Sequence, residues 1–338
     1  MTYIGIDIHR STSSFRWNIP STGTEGRRCI GTTPAEFEKL LNSLPRPWIV
    51  SYEATRQAPM VTKLLRALQC DELHLIHPRA LETVLQLNKA NTDFKAAEMI
   101  LKLLMSDDLF PEAYLAPAQV EEAREISRGY EYLRRLGTSL QNNLRSLLNK
   151  AGLSFNGTRI LSKAGRQQMP QLIGQLAPFA AIIATMLWES LQLVDSYCLE
   201  LRRLMKNQVS LHPAGPALLK RQGLGVVTTF GMIAEIGEIE RFSSCRRLNS
   251  YAGIVPKIHQ SDKFFQVGHL SQDCNKHLRH HAICAAQAAT RCKESSNAKI
   301  AYTKAKRDDP KRACLAKIAA ARKLMIEIYW TWNQAIST

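Results

Sequence analysis

The sequence of 338 residues lacks the paired cysteines and long apolar runs that mark disulfide-rich, zinc-binding or membrane-spanning proteins. Its eight cysteines are scattered without a CxxC pair, which favours reduced thiols over a disulfide framework or a structural zinc site. No run approaches the ~20 apolar residues that a membrane span needs. The start, MTYIGIDIHR, has no cationic segment ahead of an apolar one, so we expect no secretory signal and a cytoplasmic location of bacterial type.

Acidic residues are also scarce, because 29 Asp and Glu stand against 45 Lys and Arg, for a net charge of +16. Residues 213–338 hold 20 of these cations and only 9 of the acids. A positive field of this size speeds association with polyanions and makes their binding sensitive to salt. Nucleic acid is therefore the expected partner, and a basic surface without such a partner is the alternative.

One cysteine has histidine neighbours in the sequence CNKHLRHH, where Cys274 precedes His277, His280 and His281. A single thiol with crowded histidines lacks the paired spacing of structural zinc sites. Histidines in a basic helix can equally contact phosphate. The pattern therefore does not single out a metal site.

Short β-rich runs and helical patterns alternate along the first 106 residues. Thr33 is predicted to cap a helix that ends at Leu44, with Glu36 at capping-box spacing. Strands are predicted near 3–8, 13–19, 26–31, 48–54 and 72–77, and further helices near 57–69, 79–87 and 92–106. This order is that of a ribonuclease-H-like fold, in which a mixed sheet collects acids from its first and fourth strands and a late helix. We assign residues 1–115 to this domain.

Residues 116–212 form a predicted helical, coiled-coil region. Two apolar seams, over about 117–150 and 183–204, repeat every three, four or seven residues, so these helices are expected to pack on each other or on a second protomer. Residues 152–178 are rich in Gly, Pro and Gln and are interpreted as a connecting segment. Residues 213–338 are then a basic and mostly helical C-terminal domain, which makes the fold α/β plus α.

Three acids lie at positions where they can converge in such a fold. Asp7 ends the first strand, Glu53 ends the fourth, and Asp93 opens the late helix. Carboxylates of this kind hold Mg²⁺ for phosphoryl chemistry, often as a two-metal site. A further acid three residues after Asp93 would share its helix face. That position is Ala96. Glu98 cannot take its place, because it points roughly 140° away from Asp93 around the helix axis, so one metal ligand is missing.

Ser261, in GIVPKIHQSDK, is the candidate nucleophile. A free hydroxyl is a weak nucleophile and needs a base, a metal or cations to stabilise developing charge. Serines are frequent in this part of the sequence, so spacing alone does not distinguish Ser261. Without further support, a structural role for its hydroxyl is the default interpretation.

The chain resembles the DEDD-type transposases of the bacterial insertion-sequence 110/1111 group, which includes DNA invertases. The resemblance rests on motifs that span most of the chain in the order of the family: GID at 5–7, YEAT at 52–55, TDFKAAEMILKLL at 92–104, GLGVVTTFGMIAEIGEIERF at 223–242, LNSYAGIVP at 248–256, Ser261, and NKHLR at 275–279.

The resemblance implies a RuvC-like N-terminal domain, a coiled-coil middle and a transposase domain that carries the nucleophilic serine. It also implies cutting and rejoining of DNA through a phosphoserine intermediate, with Mg²⁺ bound by Asp7, Glu53 and Asp93. The partners are target and donor DNA and a noncoding bridge RNA that pairs with both, in a homodimer or homotetramer. The cations expected to contact nucleic acid are Arg246, Arg247, Lys257, Lys263, Lys276 and Arg279.

The sequence departs from the family pattern near the proposed site. Ala96 replaces the fourth acid, through either an engineered Asp→Ala change or natural degeneracy, so we expect impaired catalysis. Asp262 and Cys274 replace usual glycines, and Arg56 replaces a common glycine after EAT.

Three other functions remain open from the sequence. A sugar-kinase or actin-like ATPase shares the ribonuclease-H core, but the glycine-rich phosphate and adenosine segments it needs are not found. A protein-only DNA invertase would act without RNA. A non-catalytic nucleic-acid-binding protein would carry a decayed acidic cluster, with Ala96 as its trace.

Overall fold

A computed structural model describes residues 1–86, 92–106, 112–155, 159–261, 264–308 and 313–337, without the side chains of residues 80, 84 and 257–267. These residues form two compact units, Met1–Ala116 and Pro117–Thr338. The predicted divisions at 115 and 212 stay predictions.

A five-stranded mixed sheet organises the first unit. Its strands are β1 (Thr2–Ile8), β2 (Thr12–Ile19), β3 (Thr24–Gly31), β4 (Trp48–Glu53) and β5 (Glu72–Ile76). Their order is β3-β2-β1-β4-β5, with β1, β2 and β3 antiparallel and β1, β4 and β5 parallel. The predicted mixed α/β architecture is confirmed, whereas its assignment as ribonuclease-H-like stays a prediction.

Four helices complete this unit: α1 (Pro34–Leu41), α2 (Ala58–Ala67), α3 (Pro78–Gln86) and α4 (Asp93–Met105). The predicted cap is present, since the Thr33 hydroxyl accepts a hydrogen bond from the backbone N–H of Glu36. Helix α4 packs so closely on β1 that a Cβ atom at Gly5 would overlap the carbonyl oxygen of Ala97. Glycine at this position therefore brings the start of α4 near the end of β1.

Two long helices, α5 (Ala118–Lys150) and α7 (Pro178–Leu211), begin the second unit. They share a buried cluster that includes Leu144 and Leu148 of α5 and Trp188 and Leu191 of α7, so they pack on each other, which is one of the two predicted arrangements. The interpretation of 152–178 as a connecting segment is incomplete, because α6 (Lys163–Ile173) lies within it and contributes Met169 to the same cluster.

The rest of the second unit is mostly helical, as predicted. Its helices are α8 (Gly215–Leu219), α9 (Val226–Ile236), a 3₁₀ turn (Ile239–Arg241), α10 (Cys245–Tyr251), α11 (Lys276–Arg291), α12 (Asn297–Asp308) and α13 (Ala313–Ile336). The sequence did not predict the antiparallel hairpin of β6 (Pro256–Ser261) and β7 (Phe264–Leu270) between α10 and α11. Among the described helices, none combines the length and the apolar character that crossing a membrane requires.

Candidate functional site

Two of the predicted acids meet at one end of the sheet, together with a histidine. Nε2 of His9 lies 3.2 Å from Oδ2 of Asp7 and 3.4 Å from Oδ1 of Asp93. Within the described part of the chain, these three residues are the group whose donor atoms lie close enough to share a metal ion, all within 4.8 Å of one another. His9 was not identified as a site residue from the sequence. Its position two residues after Asp7 is the feature of the sequence that could have indicated it.

Local structure sets the backbone positions of all three residues. Asp7 lies near the end of β1 and is only 5% exposed. The backbone N–H of His9 donates to the carbonyl oxygen of Thr12, and the carbonyl oxygen of His9 accepts from the Thr32 hydroxyl, both at 2.9 Å. Asp93 is the first residue of α4, which Gly5 allows to approach β1.

Glu53, the third predicted acid, ends the strand next to β1. Ile6 pairs with Tyr52 in the parallel register, so Asp7 and Glu53 occupy equivalent positions on adjacent strands, where side chains share a sheet face. The Glu53 carboxylate does not belong to the group formed by Asp7, His9 and Asp93, whose donor atoms lie within 4.8 Å of one another.

Charge crowding marks this end of the sheet. Burial raises the pKa of the Asp7 carboxyl, and the negative charge of Asp93 raises it further, against the opposing effect of His9. Burial and the charge of Asp7 also raise the pKa of Glu53. Because the carboxylates disfavour one another's ionisation, a divalent cation would stabilise them, and their hard oxygen atoms are ligands that Mg²⁺ and Mn²⁺ accept.

Position 96, where the resemblance expects a fourth acid, offers no donor atom. Ala96 lies three residues after Asp93 on α4 and is buried. Glu98 does not substitute for it, because its carboxylate is held by Lys102 at 2.6 Å and by Arg16 of β2 at 3.3 Å. The interpretation of Ala96 as a missing metal ligand stays a prediction.

Ser261 lies in the second unit, as the last residue of β6, and its backbone pairs with Phe264 of β7. Its side chain and that of Lys257 are outside the described residues, as are all atoms of Asp262 and Lys263. The assignment of Ser261 as the nucleophile stays a prediction, and so do the phosphate contacts of these two lysines.

The base of this hairpin is held by arginine side chains. The Arg279 guanidinium on α11 donates to the carbonyl oxygens of Gly253, Ala252 and Ser271, which flank the two ends of the hairpin. Arg322 of α13 donates to the carbonyl oxygen of Ile254 at 3.3 Å. Gly253 has φ +64°, and a Cβ atom there would overlap the Arg279 guanidinium, so glycine is required. Arg279 thus binds backbone carbonyls, and its predicted phosphate contact stays a prediction.

A buried ion pair lies beside the start of α11. Glu235 of α9 is fully buried, and both its oxygens accept hydrogen bonds from Arg128 of α5, at 2.8 and 2.9 Å. Asn275, the N-cap residue of α11, donates to the same carboxylate at 2.8 Å. Burial raises the pKa of Glu235, but these hydrogen bonds and the arginine charges outweigh it and lower the pKa overall. The network joins α5, α9 and α11 near the hairpin.

The histidines after Cys274 bind a carboxylate. Nδ1 of His277 lies 2.9 Å from Oε2 of Glu131 on α5, and Nε2 of His281 lies 3.0 Å from Oε1. Burial raises the pKa of Glu131, yet the hydrogen bond from His277 and the close imidazole of His281 bring it well below its usual range. These histidines thus connect α11 to α5.

Three of the predicted nucleic-acid contacts are exposed cations: Arg246 and Arg247 on α10 and Lys276 at the start of α11.

Residues 216–301 match the family described as transposase IS116/IS110/IS902, over a segment that includes α9, α10, the hairpin and α11. The second unit therefore contains a segment that is similar to the transposase domain of this family. The chain is also 26% identical, over 273 residues, to a "Probable family 20 transposase" of Pseudomonas aeruginosa, which covers 76% of this chain and 75% of that relative. Both comparisons support the transposase family, and the matched segment contains Ser261, Arg279 and, from the buried network, Glu235 and Asn275.

Proposed function

We propose that this chain is the transposase of an insertion sequence, which cuts and rejoins DNA with a metal-binding acidic site and Ser261. The observation that carries the proposal is the match of residues 216–301 to the IS116/IS110/IS902 transposases. The approach of Asp7 and Asp93, two acids of the family motif, supports it independently.

The residues have separate tasks in this mechanism. Asp7 and Asp93 would hold a divalent ion, with Glu53 on the neighbouring strand. Such an ion would supply charge stabilisation for the attacking and leaving oxygens of a phosphodiester. The Ser261 hydroxyl attacks phosphorus, so that a serine–phosphate bond forms, a phosphorus–oxygen bond of DNA breaks, and the serine proton passes to the leaving DNA hydroxyl. Attack by another DNA hydroxyl reverses these steps and releases serine with rejoined DNA.

The partners in this proposal are target and donor DNA and a noncoding guide RNA. The net charge of +16 suits binding of both nucleic acids. A guide RNA explains how a protein without a recognisable base-reading motif selects its sites by base pairing. A protein-only invertase is the alternative with the same chemistry and no RNA, and a non-catalytic binding protein is the alternative without chemistry.

Trapping a protein–DNA adduct tests the proposed chemistry. In an Ala96→Asp background, denaturation during the reaction with labelled DNA is expected to leave DNA attached to the protein, and mass spectrometry is expected to locate the phosphate on Ser261. Ser261→Ala should bind DNA with unchanged affinity and form no adduct. An adduct on another residue, or an undiminished adduct in Ser261→Ala, contradicts the assignment.

We also propose that the protein assembles through α7. This helix carries an apolar stripe in which each side chain is between 43 and 83% exposed: Phe179, Ile183, Met186, Leu193, Tyr197, Leu204 and Leu211. The spacings of four, three and seven residues are those of coiled-coil a and d positions. A second copy of α7 covers this stripe in the proposed dimer.

Charge placed in the stripe is expected to separate the dimer. Met186→Glu combined with Leu193→Glu places two carboxylates at positions that the partner helix would desolvate, so the protein should sediment as a monomer at tens of micromolar. Thr185→Glu adds the same kind of charge at an exposed position outside the stripe and should leave the dimer intact. Analytical ultracentrifugation measures the oligomeric state of the parent protein and of both variants. A parent protein that is monomeric at these concentrations overturns the proposal.

A further inference from the structure

The geometry of His9 resembles that of a metal ligand. In an octahedral complex with metal–ligand bonds of about 2.1 Å, neighbouring donor atoms lie about 3 Å apart. The separations of 3.2 and 3.4 Å from Nε2 of His9 to the oxygens of Asp7 and Asp93 are close to this value. Nε2 of His9 can therefore occupy a coordination position next to each of these oxygens, and the two oxygens lie within 4.8 Å of each other.

The exposure of the group leaves room for the remaining ligands. Only 7% of the Asp7 side chain is exposed, whereas 48% of the His9 side chain and 60% of the Asp93 side chain are. One side of the group is thus buried against the sheet and the other is open to water or to a phosphate oxygen.

The chain offers an unusual donor set at this place. Position 96, where the resemblance expects a carboxylate beside Asp93, is Ala, while His9 adds an imidazole nitrogen close to Asp7 and Asp93. Carboxylates suit Mg²⁺ and Mn²⁺, whereas imidazole suits transition-metal ions. Replacement of one oxygen donor by nitrogen shifts the preference of such a site away from Mg²⁺.

We propose that His9 is a third ligand of the divalent ion, with Asp7 and Asp93, and that it makes this chain prefer Mn²⁺ to Mg²⁺. The proposal deepens the proposed function, because it rests on the presence of a metal at the acidic site. The competing arrangement is an ion pair in which a protonated His9 bridges the two carboxylates and binds no metal.

Electron spin echo spectroscopy of Mn²⁺ bound to the full-length protein distinguishes the two arrangements. Imidazole coordination is expected to give a ¹⁴N modulation, and His9→Gln is expected to abolish it. The same variant should lose at least about tenfold in Mn²⁺ affinity by calorimetry, since even substitutions around the ligands cost 10- to 100-fold. His9→Asp, which supplies a carboxylate, should keep a bound ion without nitrogen modulation and with a preference moved toward Mg²⁺.

His74→Gln is the matched control, because His74 also lies between two carboxylates of the first unit, 3.5 Å from Glu72 and 3.3 Å from Glu112. It should leave both the modulation and the affinity unchanged. Bound Mn²⁺ without a His9-dependent nitrogen signal overturns the role of His9 and leaves the metal-dependent function standing. Absence of Mn²⁺ and Mg²⁺ binding at millimolar concentration overturns both.

Discussion

Ala96→Asp is expected to raise Mg²⁺-dependent DNA cleavage and strand exchange by at least about 100-fold. The substitution places a carboxylate three residues after Asp93 on the same face of α4, where the resemblance to the family expects a fourth acid. Metal ions contribute several kcal/mol of charge stabilisation to phosphoryl transfer, and each ~1.4 kcal/mol is a factor of ten in rate. Rates of cleavage of labelled DNA with and without Mg²⁺ measure the gain.

Ala96→Asn separates the charge from the shape of the new side chain. The asparagine side chain has nearly the same size as aspartate but carries no negative charge. The rate of cleavage should therefore stay at the level of the parent protein. Because position 96 is buried, Ala96→Asp should also lower the melting temperature in EDTA and recover it with Mg²⁺, since an unpaired buried charge is costly and a metal compensates it. Equal cleavage by the parent protein and both variants would refute the missing-ligand explanation.

Much of the first unit follows from its sequence, for local physical reasons. The alternating or continuous apolar runs of β1 and β4 predict strands, and Thr33 predicts the start of α1, because these signals act between residues near in sequence. The meeting of Asp7 and Asp93 was an expectation from the order of elements. It depends on Gly5, whose missing Cβ lets α4 approach β1.

The unpredicted features depend on contacts between residues distant in sequence. Arg279 in a basic segment indicates a phosphate ligand, yet its guanidinium meets carbonyls that lie 8, 26 and 27 residues earlier. His277 and His281 likewise meet Glu131 across 146 and 150 positions. No local pattern reports such pairs, because each partner alone has an ordinary polar sequence context.

Arg279→Ala is expected to lower Ser261–DNA adduct formation by at least about 100-fold, in the Ala96→Asp background, with little change in DNA affinity. The guanidinium binds three carbonyls at the base of the β6–β7 hairpin, and its loss leaves partly buried acceptors unpaired. The hairpin that carries Ser261 would then lose its fixed direction, and a displacement of about 1 Å at a reacting group can cost 100-fold. The rate of adduct formation in Arg279→Lys should lie between those of the parent Ala96→Asp protein and Arg279→Ala. A lysine ammonium group keeps the charge but lacks the planar fork that reaches several acceptors at once.

Arg246→Ala provides the contrasting control, because Arg246 is an exposed cation of the same domain. If it contacts phosphate, its loss should weaken DNA binding and reduce the slope of log affinity against log salt by about one, with normal adduct formation at saturating DNA. Arg279→Ala should show the opposite combination, a normal salt slope with slow adduct formation. A reduced slope for Arg279→Ala, with full adduct formation at saturation, would instead support the phosphate contact that the sequence predicts. The two variants thus separate a side chain that positions the hairpin from one that binds the DNA backbone.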